Sequence, residues 1–226
     1  YDISSISYSR KRKKLLSVYC TGHKEPIRHY FDTDEEALRT RIKAHFPNQR
    51  YGIADTDKAE EHYLIYVGGD RTRGAYWFYD AQTDETPPMA ELAPWITAEE
   101  MNEMHAVKYT SRDGLTIEAY LTLPNGLSIN EAHQLPVVIN PHGGPWARDC
   151  WGYSSEVQFL ANRGYAVFQM NFRGSTGYGR SFLEASYKQW GLKMQDDITD
   201  GVNWLIEQGI ADKDRVAIYG GSYGGY

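Results

Sequence analysis

The chain has 226 residues, 41% of them hydrophobic, and a formal net charge of -6. That is enough apolar material for one large domain or two modest ones, and too acidic a balance for a nucleic-acid partner in bulk. No apolar run approaches the roughly 20 residues of a membrane span, so no membrane partner is expected. Cys20 and Cys150 are too few for a disulfide framework or a Cys-rich metal site, and they leave the compartment open. "YDISSISYS" has no start Met and no signal-like segment, so the natural N-terminus and any export signal are expected to lie elsewhere.

Residues 1–95 are rich in aromatics and short alternating runs, with turns at "SRKRKK", "TDKAEE" and "GGDRTRG", and read as β-structure. The basic run from Arg10 to Lys14 reads as a solvated hairpin turn. An internal echo sets Leu16 against Leu64 and Tyr30-Phe31-Asp32 against Phe78-Tyr79-Asp80, both 48 residues apart (64 minus 16, 80 minus 32). Short strands repeating at that period fit the blades of a β-propeller. Between the echoes, "TDEEALRTRIKAHFP" predicts a helix, with Thr33 and Glu36 at capping-box spacing and Leu38, Ile42 and Phe46 on one face before Pro47. Its expected role is packing. "ETPPMAELAPW", with three prolines, reads as a linker.

Residues 96–226 follow a different pattern. "AVKYTSRDGLTIEAYLTLP" predicts two strands around Asp113-Gly114. "LPVVIN" and "YAVFQMNF" are strands apolar on both faces, and the helical "SSEVQFLANRG" between them is closed by Gly164. "MQDDITDGVNWLIEQG" puts Ile198, Val202, Leu205 and Ile206 on one helical face, with Asp196 and Asp197 where the helix dipole favours them. "RVAIYG" has the composition of a central strand. Strand, helix, strand, helix, strand implies right-handed crossovers and a mainly parallel sheet, an α/β domain entered through a hairpin.

Gly220-x-Ser222-x-Gly224 follows "RVAIY" directly, the context a nucleophile elbow requires. The serine must occupy a strained strand-to-helix turn, and flanking residues without Cβ let two backbones pass closely. Phosphate-loop readings fail on residues: Ser222 stands where a dinucleotide fingerprint needs its second glycine, and Tyr226 where a P-loop needs its lysine. "NPHGGPWARD" follows the strand "PVVI", from which an α/β-hydrolase supplies its other oxyanion donor through a His-Gly-Gly motif. His142 is not the general base on this reading, because the α/β-hydrolase order is Ser, then Asp or Glu, then His, and all seven histidines precede Ser222. "NFRGSTGYGRSF" reads equally as a structural turn and as a cleft wall. Arg148 and Asp149 read as a local ion pair, with contact to a substrate as the other reading.

"NPHGGPWARD", "NFRGSTGYGRSF" and "QWGLKMQDDITDGVNWLIEQGIADKDRVAIYGGSYGGY", in this order behind "YTSRDGLTIEAYLTLP", closely resemble the prolyl oligopeptidase family of serine peptidases, in its acylaminoacyl-peptidase and dipeptidyl-peptidase-like branch. The resemblance covers nearly all of residues 100–226 and is looser over 1–95. It implies an α/β class in which residues 96–226 are the first half of an α/β-hydrolase domain and residues 1–95 the last blades of a β-propeller. It further implies Ser222 as nucleophile, the backbone N–H groups of Tyr223 and Gly144 as oxyanion hole, and His142, Gly143, Gly220 and Gly224 as support. The expected reaction is acyl transfer from short peptides, without cofactor or metal, and a homo-oligomer is compatible with it. A carboxylesterase or lipase and a catalytically inactive interaction module are the rival readings. The family's Asp and His follow the nucleophile, so the 226 residues are expected to be part of a longer polypeptide, or completed by another chain, and inactive alone.

Overall fold

The computed structural model describes residues 1–124 and 126–226. Two small antiparallel sheets come first. β1 (Ile3–Ser9), β2 (Lys14–Cys20) and β3 (Ile27–Tyr30) form one. β4 (Arg50–Thr56), β5 (His62–Gly68), β6 (Ala75–Asp80) and β7 (Pro88–Glu91) form the other. The echo in the sequence has a structural counterpart. Leu16 and Leu64 lie on the corresponding strands β2 and β5, and Tyr30 and Phe78 on β3 and β6. The aspartate of each triplet turns the chain away from its strand: Asp32 accepts from the N–H of Glu35, and Asp80 from the N–H groups of Gln82 and Thr83.

The helix between the sheets, α1 (Thr33–His45), is capped by Asp32 and not by Thr33, correcting the capping-box reading. Asp32 has the extended backbone an N-cap needs, and its carboxylate reaches the third N–H of the helix. Lys14 and that N–H hold it well below the usual carboxylate range. The predicted face is right: Leu38, Ile42 and Phe46 pack with Ile65, Val67 and Tyr79. The presumed linker needs a second correction, since it contains β7. Pro88 opens that strand at the sheet edge, where a missing N–H costs no ladder bond.

The remaining strands build one mixed sheet in the order β12-β10-β11-β9-β8. β8 (Met104–Thr110) and β9 (Thr116–Thr122) are the expected hairpin, its turn made at Gly114 with φ +88°. β10 (Leu135–Ile139), β11 (Ala166–Asn171) and β12 (Ala211–Ile218) run parallel, and β9 joins β11 antiparallel. α2 (Ser155–Ala161) and α4 (Lys193–Glu207) make the crossovers, and a short α3 (Arg180–Glu184) follows β11. Ile139, Phe168 and Met170 of the sheet pack with Met194 and Leu205 of α4. β12 lies at the edge with Ile218 and Tyr219 exposed. The carboxyl ends of β10, β11 and β12 bring residues 140–154, 172–179 and 219–226 to one rim, where open parallel sheets carry ligands.

The two regions meet through polar contacts. Tyr120 Oη donates to the carbonyl of His23, Tyr1 Oη donates to Glu118, and the N–H of Gly179 donates to Asp2.

Candidate active site

β12 delivers the chain to Ser222, which has φ +56°, a left-handed conformation uncommon for a residue with a side chain. Backbone contacts hold it there. A Cβ on Gly220 would lie 2.5 Å from the carbonyl oxygen of Gly224 and 2.9 Å from that of Pro141. A Cβ on Gly224 would lie 2.1 Å from the Pro141 carbonyl oxygen. Both glycines of the Gly-x-Ser-x-Gly run are therefore required by sterics, and the obstacle is the loop after β10. The two motifs that the sequence presents 80 residues apart (222 minus 142) are thus packed backbone to backbone.

That loop brings its glycines to the serine. A Cβ on Gly143 would meet Ser222 Cβ at 3.4 Å and Ser222 Oγ at 4.0 Å, so hydrogen at this position keeps the space in front of the hydroxyl clear. Gly144 has φ +121°, which favours glycine. Ser222 is exposed, whereas Tyr223 and Gly224 behind it are buried. The Tyr223 ring packs against Phe172 and Trp190 at centroid distances of 5.5 and 5.3 Å, fixing the residue after the serine. Among the described residues, the N–H groups of Tyr223 and Gly144 donate to no other protein group. Both remain available for an anionic oxygen beside Ser222.

His142 is turned away from the hydroxyl. Its Nδ1 lies 2.7 Å from the carbonyl oxygen of Gly143 and its Nε2 2.8 Å from Ser175 Oγ. A carbonyl only accepts, so Nδ1 carries the proton, and the single proton of the Ser175 hydroxyl is shared between His142 Nε2 and the Phe172 carbonyl at 2.7 Å. Stacking on Phe172 at 4.4 Å completes the burial, which lowers the pKa and keeps the ring neutral. His142 thereby ties the loop after β10 to the loop after β11. No histidine is hydrogen-bonded to Ser222 among the described residues.

The loop after β11 has a role that the sequence left divided. The guanidinium of buried Arg173 makes two hydrogen bonds to each of two carboxylates, Asp197 and Asp113, at 2.7–2.8 Å, and the Arg173 backbone N–H adds a third to Asp197 at 2.9 Å. Asp197 also accepts from the hydroxyl of Ser111, and its backbone carbonyl from Tyr109 Oη. Reading Asp197 as a dipole partner missed this network. The available signal was an arginine opening a glycine-rich loop opposite an aspartate pair, but nothing local in the sequence joins residues 24 apart (197 minus 173).

The expected Arg148–Asp149 ion pair does not form. The Arg148 guanidinium instead lies over the Tyr178 ring at 4.5 Å, donates to Tyr178 Oη at 2.9 Å and reaches the carbonyl of Thr21 at 3.3 Å. It therefore clasps the first region to the second. Asp149 is held through its backbone by Asn171, and its Oδ2 is buried with no hydrogen-bond partner among the described residues. Burial pushes its carboxyl up to about 7. Among the described residues no three His, Cys, Asp or Glu side chains gather as metal ligands would, and no helix is long and apolar enough to cross a membrane.

Comparison with known proteins agrees with this geometry. Residues 151–226 match the prolyl oligopeptidase family. The chain belongs to that family. A dipeptidyl aminopeptidase BIII of Pseudoxanthomonas mexicana is 43% identical over 155 residues, 67% of this chain and 22% of that protein. Dipeptidyl peptidase family member 6 of Caenorhabditis elegans is 38% identical across 100% of this chain and 33% of its own length. The chain therefore spans a fifth to a third of these relatives. Among solved structures, a puromycin-hydrolysing peptidase of Mycobacterium tuberculosis superposes with a TM-score of 0.63 at 29% identity, covering 74% of this chain and 26% of that one. The acylaminoacyl peptidase of Pyrococcus horikoshii gives a TM-score of 0.68 over 100% of this chain and 34% of its own, at 21% identity, which supports the fold: propeller blades followed by an α/β-hydrolase sheet.

Proposed function

We propose that Ser222 is the nucleophile of a serine peptidase acting on short peptides, of the acylaminoacyl-peptidase or oligopeptidase type. In this reading residues 1–95 belong to a propeller that restricts access, and residues 96–226 to the catalytic domain. The observation that carries it is the strained Ser222, wedged between Gly220 and Gly224 against the Pro141 carbonyl and open towards Gly143. Ser222 Oγ attacks the scissile carbonyl, and its proton passes to a general base. His142 is not that base, since both its ring nitrogens are engaged elsewhere. The carbonyl oxygen, now an anion, accepts from the N–H groups of Tyr223 and Gly144. Collapse breaks the C–N bond, the amine leaves with a proton, and water hydrolyses the acyl-enzyme.

The test is to compare rates for the full-length protein on aminoacyl and acyl-aminoacyl anilides with those on simple esters. Peptidase action predicts turnover of the anilides and its loss in Ser222→Ala. Turnover of esters alone contradicts it.

A further inference from the structure

Between the two small sheets and the loop after β10 lies a cavity of about 660 Å³, walled in part by Trp151 and Tyr153 of that loop. Four arginines face into it, Arg28, Arg39, Arg50 and Arg73, and among the described residues no carboxylate lines it. Arg39 is already paired with Glu35. The other three have no carboxylate within 4 Å among the described residues: Arg28 donates to Ser17 and lies over the Tyr19 ring, Arg50 donates to the Trp151 carbonyl and lies over its ring, and the Arg73 guanidinium has no hydrogen bond. Burial, and then the charge of Arg39, lower the pKa of Arg28, so the cavity holds positive charge at an energetic cost. In a chain of net charge -6, such a concentration is a local construction, and a cleft lined by one sign of charge focuses its field on a counter-ion.

We propose that this cavity binds a carboxylate of the peptide substrate, clamped by Arg28, Arg50 and Arg73. Guanidinium groups suit the task, since their planar forks match a carboxylate's two oxygens. The cavity is also within reach of the nucleophile. Trp151 follows Gly144 by seven residues (151 minus 144), so at most about 25 Å of extended chain separates them. A peptide of comparable length whose scissile bond is at Ser222 then places an acidic group among the arginines. This proposal rests on the peptidase reading for the identity of the ligand, although its binding test does not depend on catalysis.

The experiment uses calorimetry on full-length Ser222→Ala protein with three hexapeptides of otherwise neutral sequence: one with a free C-terminal carboxylate, one amidated, and one amidated with glutamate at the last position. The free acid is expected to bind on the order of tenfold more tightly than the amide, as loss of a charge-assisted hydrogen bond would give. The preference should shrink in 0.5 M salt. Arg73→Gln, which leaves no internal bond broken, and Arg28→Gln should each remove most of the preference, while Arg73→Lys and Arg28→Lys retain part of it. Recovery by the glutamate peptide assigns the site to acidic side chains, and failure to recover assigns it to the chain terminus. Equal affinity of acid and amide, or a preference untouched by both glutamine variants, overturns the proposal. Failure of the peptidase reading would appear separately, as an absence of anilide turnover in protein that still discriminates acid from amide.

Discussion

The sheet that carries Ser222 and the two smaller sheets before it are held by different physics. In the first, a continuous apolar cluster runs from Tyr109 through Phe168 to Leu205, and the ion pair at its rim is dry, with Asp197 at 0% and Arg173 at 3% exposure, while Asp113 on the outer side of Arg173 is exposed. In the second, a cluster of six buried side chains is supplemented by one buried pair, Arg39 with Glu35, and by ion pairs that keep one partner wet, such as Arg12 and Lys14 on Asp32. The difference teaches where precision is needed. Around Ser222, backbone collides with backbone if a Cβ is added at Gly220 or Gly224, whereas the arginine cavity of the smaller sheets leaves charge unpaired and open to a ligand.

Breaking the dry Arg173–Asp197 pair should have the largest effect. Arg173→Ala leaves Asp197 buried without its ion partner and is expected to lower stability by about 3–5 kcal/mol in chemical denaturation. If the loss were no larger than that of an exposed pair, the two regions would not differ as described. Gly224→Ala sharpens the second half of the contrast. Its Cβ falls 2.1 Å from the Pro141 carbonyl oxygen, so the elbow must shift. An ångström of misplacement predicts roughly 100-fold slower acylation of Ser222, measured with a slow active-site reagent.

Asp149 tests the rim by pH. Its carboxyl, raised from 3.8 to about 7 by burial, holds its proton better in the folded than in the unfolded chain. The stability this gives is full below the unfolded value and is lost as pH rises through about 7. Asp149→Asn should therefore gain on the natural protein between pH 5 and pH 8, by roughly 1–3 kcal/mol. A difference independent of pH contradicts the burial. The smallest effect belongs to the first region: Asp32→Ala removes the cap of α1 and should cost about 1 kcal/mol. Because Asp32 is held low by Lys14 and the Glu35 N–H, that contribution is present at neutral pH and is lost as acidification carries the pH below about 4.

What was legible in the sequence follows the same division. Periodicity found the α1 face, the hairpin and the parallel strands, because each pattern is local. The glycines around Ser222 were legible because steric need restricts residue type. Asp32 was passed over as cap because Thr33 and Glu36 satisfy the same pattern one residue later, and backbone geometry decides between them. β7 was hidden by its prolines, which an edge strand tolerates. Arg173–Asp197, His142–Ser175 and the convergence of Arg28, Arg50 and Arg73 were not legible, since tertiary folding brings those residues together.

The central claim is that Ser222 is the reactive group at the meeting of the two loops. Labelling the full-length protein with a fluorophosphonate, followed by peptide mass mapping, tests it most directly. One adduct per chain on Ser222, lost in Ser222→Ala, is the predicted result. An unlabelled Ser222, or an adduct on another serine that persists in Ser222→Ala, would contradict it.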